Sequence, residues 1–187
     1  MQTKFLLLLG PSGVGKTSII QRLRQLDKRF VYISPYITRN LRTGETDKVS
    51  VIDEKLDELV RDGKILVVNQ LYGIRYATPR EPIEQAFEAE QFPLLDWPID
   101  RLDVMKQHFH GRLFQVYVEV DPTILQSRLQ SDDRDPVQSR LRAGLVELER
   151  LKLGEYDHLI NYRITNPSGE VDMVAQSIYE QYLQVIG

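Results

Sequence analysis

Cysteine is absent from this 187-residue chain. That excludes disulfide frameworks, thiol nucleophiles and Cys-based zinc sites, and it is consistent with a cytoplasmic protein. Excess basic charge is missing too: 24 Lys and Arg stand against 27 Asp and Glu, a formal net charge of −3. A general grip on nucleic acid needs a strongly basic surface, so no nucleic-acid partner is expected. Long hydrophobic runs are also lacking. The opening "FLLLL" is cut short by a glycine-rich turn, far below the roughly 20 apolar residues of a spanning helix, and it does not read as a signal peptide. No membrane association is expected. What is present, 42% hydrophobic and 27% charged residues, suffices to bury a core, and the length predicts a single domain over 1–187.

Apolar runs of strand length occur at Phe5–Leu9, Phe30–Ile33, Ile65–Val68, Phe92–Leu95, Leu113–Val120 and Leu159–Ile164. Several are apolar on both faces, as strands buried in a parallel sheet are. Helical spacing marks Lys16–Leu26, Ile52–Val60, Pro122–Leu129, a stripe through Val137, Leu141, Leu145 and Leu148 that starts at Asp135–Pro136, and Glu170–Ile186. Strands alternating with helices predict an α/β fold, a parallel β-sheet core flanked by helices. The longest irregular stretches are Ser34–Val49, Tyr72–Pro82 and Ser131–Asp135. In such folds loops of this kind carry function.

The stretch "GPSGVGKTS" joins the first strand to the first helix, and Gly10-x-x-x-x-Gly15-Lys16-Thr17 satisfies the P-loop pattern in the required context. Gly10, Pro11, Ser12, Gly13, Val14, Gly15, Lys16, Thr17 and Ser18 are therefore expected to wrap the phosphates of ATP. Glycines let backbone N–H groups point inward as a concavity for phosphate oxygens, and the helix N-terminus adds its positive end. Lys16 is expected on the β- and γ-phosphates, and the Thr17 hydroxyl on Mg2+.

A regulatory GTPase would need an Asp-x-x-Gly switch and an Asn-Lys-x-Asp motif, and neither occurs. A phosphotransferase remains. Its acceptor's phosphate must approach a like-charged triphosphate, which calls for arginine forks. "YITRNLRTGE" supplies Arg39 and Arg42, and "RLQSDDRDPVQSRL" supplies Arg128, Arg134 and Arg140 around a polar loop with the look of a lid.

In the order "GPSGVGKTS", "TRNLRTGE", "SRLRAGLVELE" and "YDHLIN", the chain resembles guanylate kinases from Phe5 to about Asn161. The resemblance implies a P-loop kinase fold with a small acceptor-binding lobe (about 34–90) and a lid (about 128–140). It implies transfer of the γ-phosphoryl of Mg-ATP to GMP, a small-molecule acceptor. Lys16, Arg39, Arg134 and Arg140 would then be catalytic, with Arg39 and Arg42 on the acceptor phosphate and Asn161 near the adenine of the donor. Ser34, Tyr76 and Asp96 would complete the acceptor side, and Asp96 would share Mg2+ with Thr17.

Departures cluster on that acceptor side. After "GE" the family's tyrosine is missing, for this chain reads "TDKVSVIDE". The family's guanine-reading glutamate falls on Val67 in an ungapped register, which cannot accept hydrogen bonds. The serine before the arginine motif falls on Pro35 beside Ser34. "Tyr76-Ala77-Thr78" stands for Tyr-Gly-Ser/Thr, with "Leu71-Tyr72-Gly73" as a competing alignment. Asp96 is kept in "LLDWP", but Pro98 takes the second aspartate position. Two alternatives therefore stay open: a kinase for another phosphorylated acceptor such as ribose 1,5-bisphosphate, which the Tyr36–Arg39 stretch also resembles, and a silent guanylate-kinase-like protein-binding module. His108 and His110 are two residues apart, so they point to different sides of a helix and do not read as a metal pair.

Overall fold

The computed structural model describes residues 2–71, 73–130, 138–167 and 170–187. Strand β1 (Phe5–Leu9) is apolar and fully buried at all positions, the pattern of a strand covered on both faces. Around it lie β2 (Phe30–Tyr32), β7 (Phe92–Asp96), β8 (Leu113–Glu119) and β9 (Tyr162–Thr165), in the order β2-β7-β1-β8-β9. Every pair in this sheet is parallel.

Helices cover the sheet through apolar stripes. Helix α1 (Lys16–Leu26) buries Ile19, Ile20 and Leu23, and α7 (Val171–Ile186) buries Val174, Ala175, Ile178, Tyr182 and Ile186. The two pack on one another. The Tyr182 hydroxyl also donates to the Lys4 carbonyl at 2.6 Å and accepts from the Lys4 amide at 3.2 Å, fixing the C-terminal helix to the start of β1. Helices α3 (Glu81–Glu88), α4 (Leu102–His108), α5 (Pro122–Gln130) and α6 (Ser139–Lys152) complete the cover.

A second sheet stands apart, with β3 (Tyr36–Ile37), β4 (Val49–Ser50), β5 (Ile65–Leu71) and β6 (Ile74–Pro79) in the order β4-β3-β6-β5. Helix α2 (Asp53–Arg61) closes it over its own small core of Leu56, Leu59, Ile65 and Ala77. Here the sequence reading needs correction. Ile65–Val68 is not a strand of the parallel sheet; it opens an antiparallel hairpin. The stretch Tyr72–Pro82, expected to be irregular, holds β6 and the start of α3. Gly73, at φ 76°, lies in the turn that joins β5 to β6. Leu159 lies in a 3-10 turn, and β9 begins only at Tyr162. The expected helix start at Asp135–Pro136 and most of the expected lid lie outside the described residues; α6 is described from Ser139.

Strands β1, β7 and β8 all end at one edge of the parallel sheet, where Leu8 pairs with Asp96 and Leu9 with Tyr117. Open parallel sheets place ligands beyond this edge.

Candidate active site

The phosphate loop leaves β1 at that edge. Gly10 has φ 120° and Gly15 φ 100°, conformations that a side chain strains. A Cβ on Gly10 would run into the Val118 carbonyl, and one on Gly15 would meet the side-chain amide of Asn166. Both glycines are required by close approach as well as by φ.

Lys16, at the first turn of α1, folds back over the loop. Its ammonium donates to the carbonyls of Gly10 at 2.5 Å and Pro11 at 2.9 Å. Burial lowers its pKa, and the nearby carboxylates of Asp96 and Glu147 oppose that shift. Asp96 ends β7 and accepts from the Tyr32 hydroxyl at 2.9 Å. Glu147, on α6, accepts from the Tyr117 hydroxyl at 2.8 Å, and burial raises its pKa. A cation perturbed by burial and by two nearby carboxylates, lying in a cleft, marks a functional site. Thr17 is exposed on the first turn of α1 and lines the same cleft as Asp96.

Helix α6 turns one face to this cleft, with Arg140, Ala143 and Glu147 at helical spacing. The Arg140 guanidinium reaches the Ser12 hydroxyl. Arg128, on α5, donates to the Gly13 carbonyl at 3.3 Å. Arg134 lies outside the described residues. Of the loop itself, Gly10, Pro11, Ser12, Gly13, Gly15, Lys16 and Thr17 line the cleft. Val14 is buried beneath it, and Ser18 is exposed outside the lining.

The second sheet supplies the opposite wall. Arg39 forks onto Glu45, with N–O distances of 2.7 and 2.8 Å. Glu45 also accepts from the Arg42 amide at 3.1 Å and pairs with Lys48 at 3.3 Å. Its carboxyl is consequently held down at about 2, chiefly by the Arg39 fork. Arg39, Arg42, Lys48 and Tyr76 all line the cleft. Pro35 lines it and Ser34 does not. On β5, Val67 is closed into the main core, and Asn69 and Leu71 line the cleft. The sequence reading missed Asn69, although alternation along β5 puts residues 67, 69 and 71 on one side.

Asn161 needs correction. Its side chain accepts from the Gln115 amide at 2.8 Å, and its own amide donates to the Gln115 carbonyl at 2.9 Å. Gln115 lies two residues before the loop-bearing edge of β8, and Asn161 is not in the cleft lining. The asparagine at the phosphate loop is Asn166, which follows β9 and donates to the Val14 carbonyl. The two sit at opposite ends of one short strand, so a shift of five positions exchanges their places.

The whole cleft measures about 1000 Å³, at the upper end of ligand pockets and roomy enough for two phosphorylated molecules. A smaller pocket beside Gln21, Arg24 and Lys28 lies on the outer side of α1, away from these groups. The arrangement can hold a polyphosphate at one end and a phosphomonoester at the other.

A family model for guanylate kinase matches residues 2–165. The guanylate kinase of Thermobifida fusca is 38% identical over 157 residues, covering 81% of this chain and 79% of that protein. The guanylate kinase of Oceanobacillus iheyensis is 25% identical over 193 residues, covering 96% of this chain and 93% of that protein. Among solved structures, guanylate kinase from Anaplasma phagocytophilum superposes with a TM-score of 0.74 at 18% identity, covering 98% of this chain and 86% of that one.

Proposed function

The chain belongs to the guanylate kinase family and is an ATP-dependent phosphotransferase of that type; we propose that its acceptor is GMP. The observation that carries this reading is one cleft lined by Lys16 of the phosphate loop at one end and by Arg39 and Arg42 at the other. In this reading an oxygen of the GMP phosphate bonds to the γ-phosphorus of ATP. The bond from that phosphorus to the β,γ-bridging oxygen breaks, and ADP and GDP leave. No covalent enzyme intermediate is needed, so catalysis is positioning and charge neutralisation.

Within the cleft, the backbone N–H groups of residues 12–17 hold the β-phosphate, and Lys16 leaves the carbonyls of Gly10 and Pro11 for the triphosphate. Arg140, on the first turn of α6, meets the transferring group; Arg134, expected beside it from the sequence, lies outside the described residues. Arg39 and Arg42 seat the acceptor phosphate in the lobe of about 34–90, with Tyr76 beside them. Asn166, rather than Asn161, flanks the donor end.

The hydroxyl of Thr17 and the carboxylate of Asp96 are hard oxygen donors, a set that suits Mg2+ shared with phosphate oxygens and water. When bound, the ion supplies charge neutralisation at the phosphates. No described helix is long and apolar enough to cross a membrane. The lack of cysteine is consistent with a cytoplasmic setting.

ADP release from Mg-ATP with GMP tests the assignment. ADP formed only with another phosphomonoester, such as ribose 1,5-bisphosphate, overturns the acceptor. A melting temperature unmoved by Mg-ATP overturns the kinase in favour of a silent binding module.

A further inference from the structure

Strands β5 and β6 set three cross-strand pairs in a row: Val67 with Thr78, Asn69 with Tyr76, and Leu71 with Ile74. Apart from Val67, all of these residues line the cleft. Two of them are polar and almost wholly buried, Asn69 at 5% exposure and Thr78 at 3%. The Asn69 side-chain oxygen, Oδ1, has no hydrogen-bond partner among the described residues. Buried polar atoms are nearly always paired, so an unmet acceptor on the wall of a ligand cleft points to the ligand as its partner.

Resting on the acceptor reading above, we propose that Asn69 reads the base of the acceptor, and that it reads the lactam edge of a 6-oxopurine without sensing the 2-amino group. A carboxamide offers one acceptor beside one donor. The complementary edge carries an N–H next to a carbonyl, as N1–H and O6 do in both guanine and hypoxanthine. A carboxylate has no donor; it would accept from N1–H and the 2-amino group and so separate the two bases. With Val67 withdrawn into the core, β5 presents an amide to the cleft and no carboxylate. Selectivity between GMP and IMP is therefore weak by construction.

The test is kcat/KM for GMP and IMP in the wild type, Asn69→Ala and Asn69→Asp, with KM for ATP and the melting temperature measured alongside. The wild type should use the two nucleotides within about threefold of each other, since neither N1–H nor O6 differs between them. Asn69→Ala should lose about tenfold for both while KM for ATP stays fixed, the scale of one or two neutral hydrogen bonds. Asn69→Asp should favour GMP over IMP by about tenfold, because charge-assisted bonds to the 2-amino group are stronger than neutral ones. The Asp variant is nearly isosteric, so it decides the matter if the Ala variant fails to fold.

A wild-type preference for GMP beyond about thirtyfold would show that the 2-amino group is read and would overturn the proposal. So would an unchanged kcat/KM in Asn69→Ala, or an unchanged nucleotide ratio in Asn69→Asp. If the wild type accepts neither purine nucleotide although Mg-ATP still raises its melting temperature, the GMP assignment itself fails, and this proposal falls with it.

Discussion

The side-chain amide of Asn166 donates a 2.6 Å hydrogen bond to the Val14 carbonyl, linking the end of β9 to the middle of the phosphate loop. The same residue's backbone amide donates to the Glu119 carbonyl at 2.8 Å, and only 1% of it is exposed. Its amide nitrogen occupies the space that a Cβ on Gly15 would need. The loop's curvature is thus set from below by a strand distant in sequence, as well as by its own glycines.

Gly15→Ala should therefore abolish stabilisation by Mg-ATP. The new methyl group cannot coexist with the Asn166 amide, and φ 100° disfavours any side chain. Asn166→Ala should be milder, lowering stability by about 1–3 kcal/mol through the loss of a buried hydrogen bond. Melting temperatures with and without Mg-ATP check both. A Gly15→Ala protein that gains as much from Mg-ATP as the wild type would refute the packing argument.

Lys16→Ala should lower kcat by at least about a hundredfold, the scale on which a single positioned charge acts in a transition state. Its ammonium is buried against the Gly10 and Pro11 carbonyls and faces Asp96 and Glu147. Removing it leaves those carboxylates without their counter-charge, so they repel incoming phosphate. The fold should survive, because β1 and the apolar face of α1 hold the loop's two ends. Single-turnover rates with near-ultraviolet circular dichroism as the fold control settle it; retained turnover removes the assigned role.

Glu45 governs how the lobe responds to acid. Its carboxyl is held at about 2, below its ordinary 4.5, mainly by the Arg39 fork. A depressed folded-state value means a contribution that is complete above about pH 4.5 and lost as pH falls from there toward about 2. Wild-type melting temperatures should accordingly drop more steeply over that window than those of Glu45→Gln, which has no proton to gain. At neutral pH, Glu45→Gln should raise KM for the acceptor by about tenfold, because Arg39 loses the partner that orients it. KM for ATP should stay unchanged. Parallel pH slopes in the two proteins would rule the ion pair out as the cause.

The parallel core was legible because burial on both faces writes itself into the sequence. "FLLLL", five apolar residues closed by a turn, reads as a covered strand, and the glycine pattern after it could be read in place. The lobe was harder. Strands β3 and β4 are two residues each, too short for any period to show, and β5 alternates against a small separate core. A continuous apolar start, Ile65–Val68, therefore looked like the main sheet. On the acceptor wall, the ungapped register to the family selects Val67, whereas Asn69, two residues on along the same strand face and paired with Tyr76, is the one that lines the cleft. Glu147 and Asn166 carry no local signature at all. Each matters through what a distant strand or helix brings to it, and that is tertiary information.

Val67→Glu separates these two readings of β5. If residue 67 faced the acceptor, a glutamate there would sharpen guanine selectivity. Val67 is instead 8% exposed and packed into the main hydrophobic core. A carboxylate forced into that position has no partner, so stability should fall by roughly 2–5 kcal/mol. The folded fraction should keep the wild-type ratio of kcat/KM for GMP over IMP, because the amide that contacts the base is untouched. Chemical denaturation supplies the first quantity and initial rates with both nucleotides the second. A stable Val67→Glu protein with a heightened preference for GMP would place residue 67 at the cleft, because a glutamate closed into the core could not reach the base.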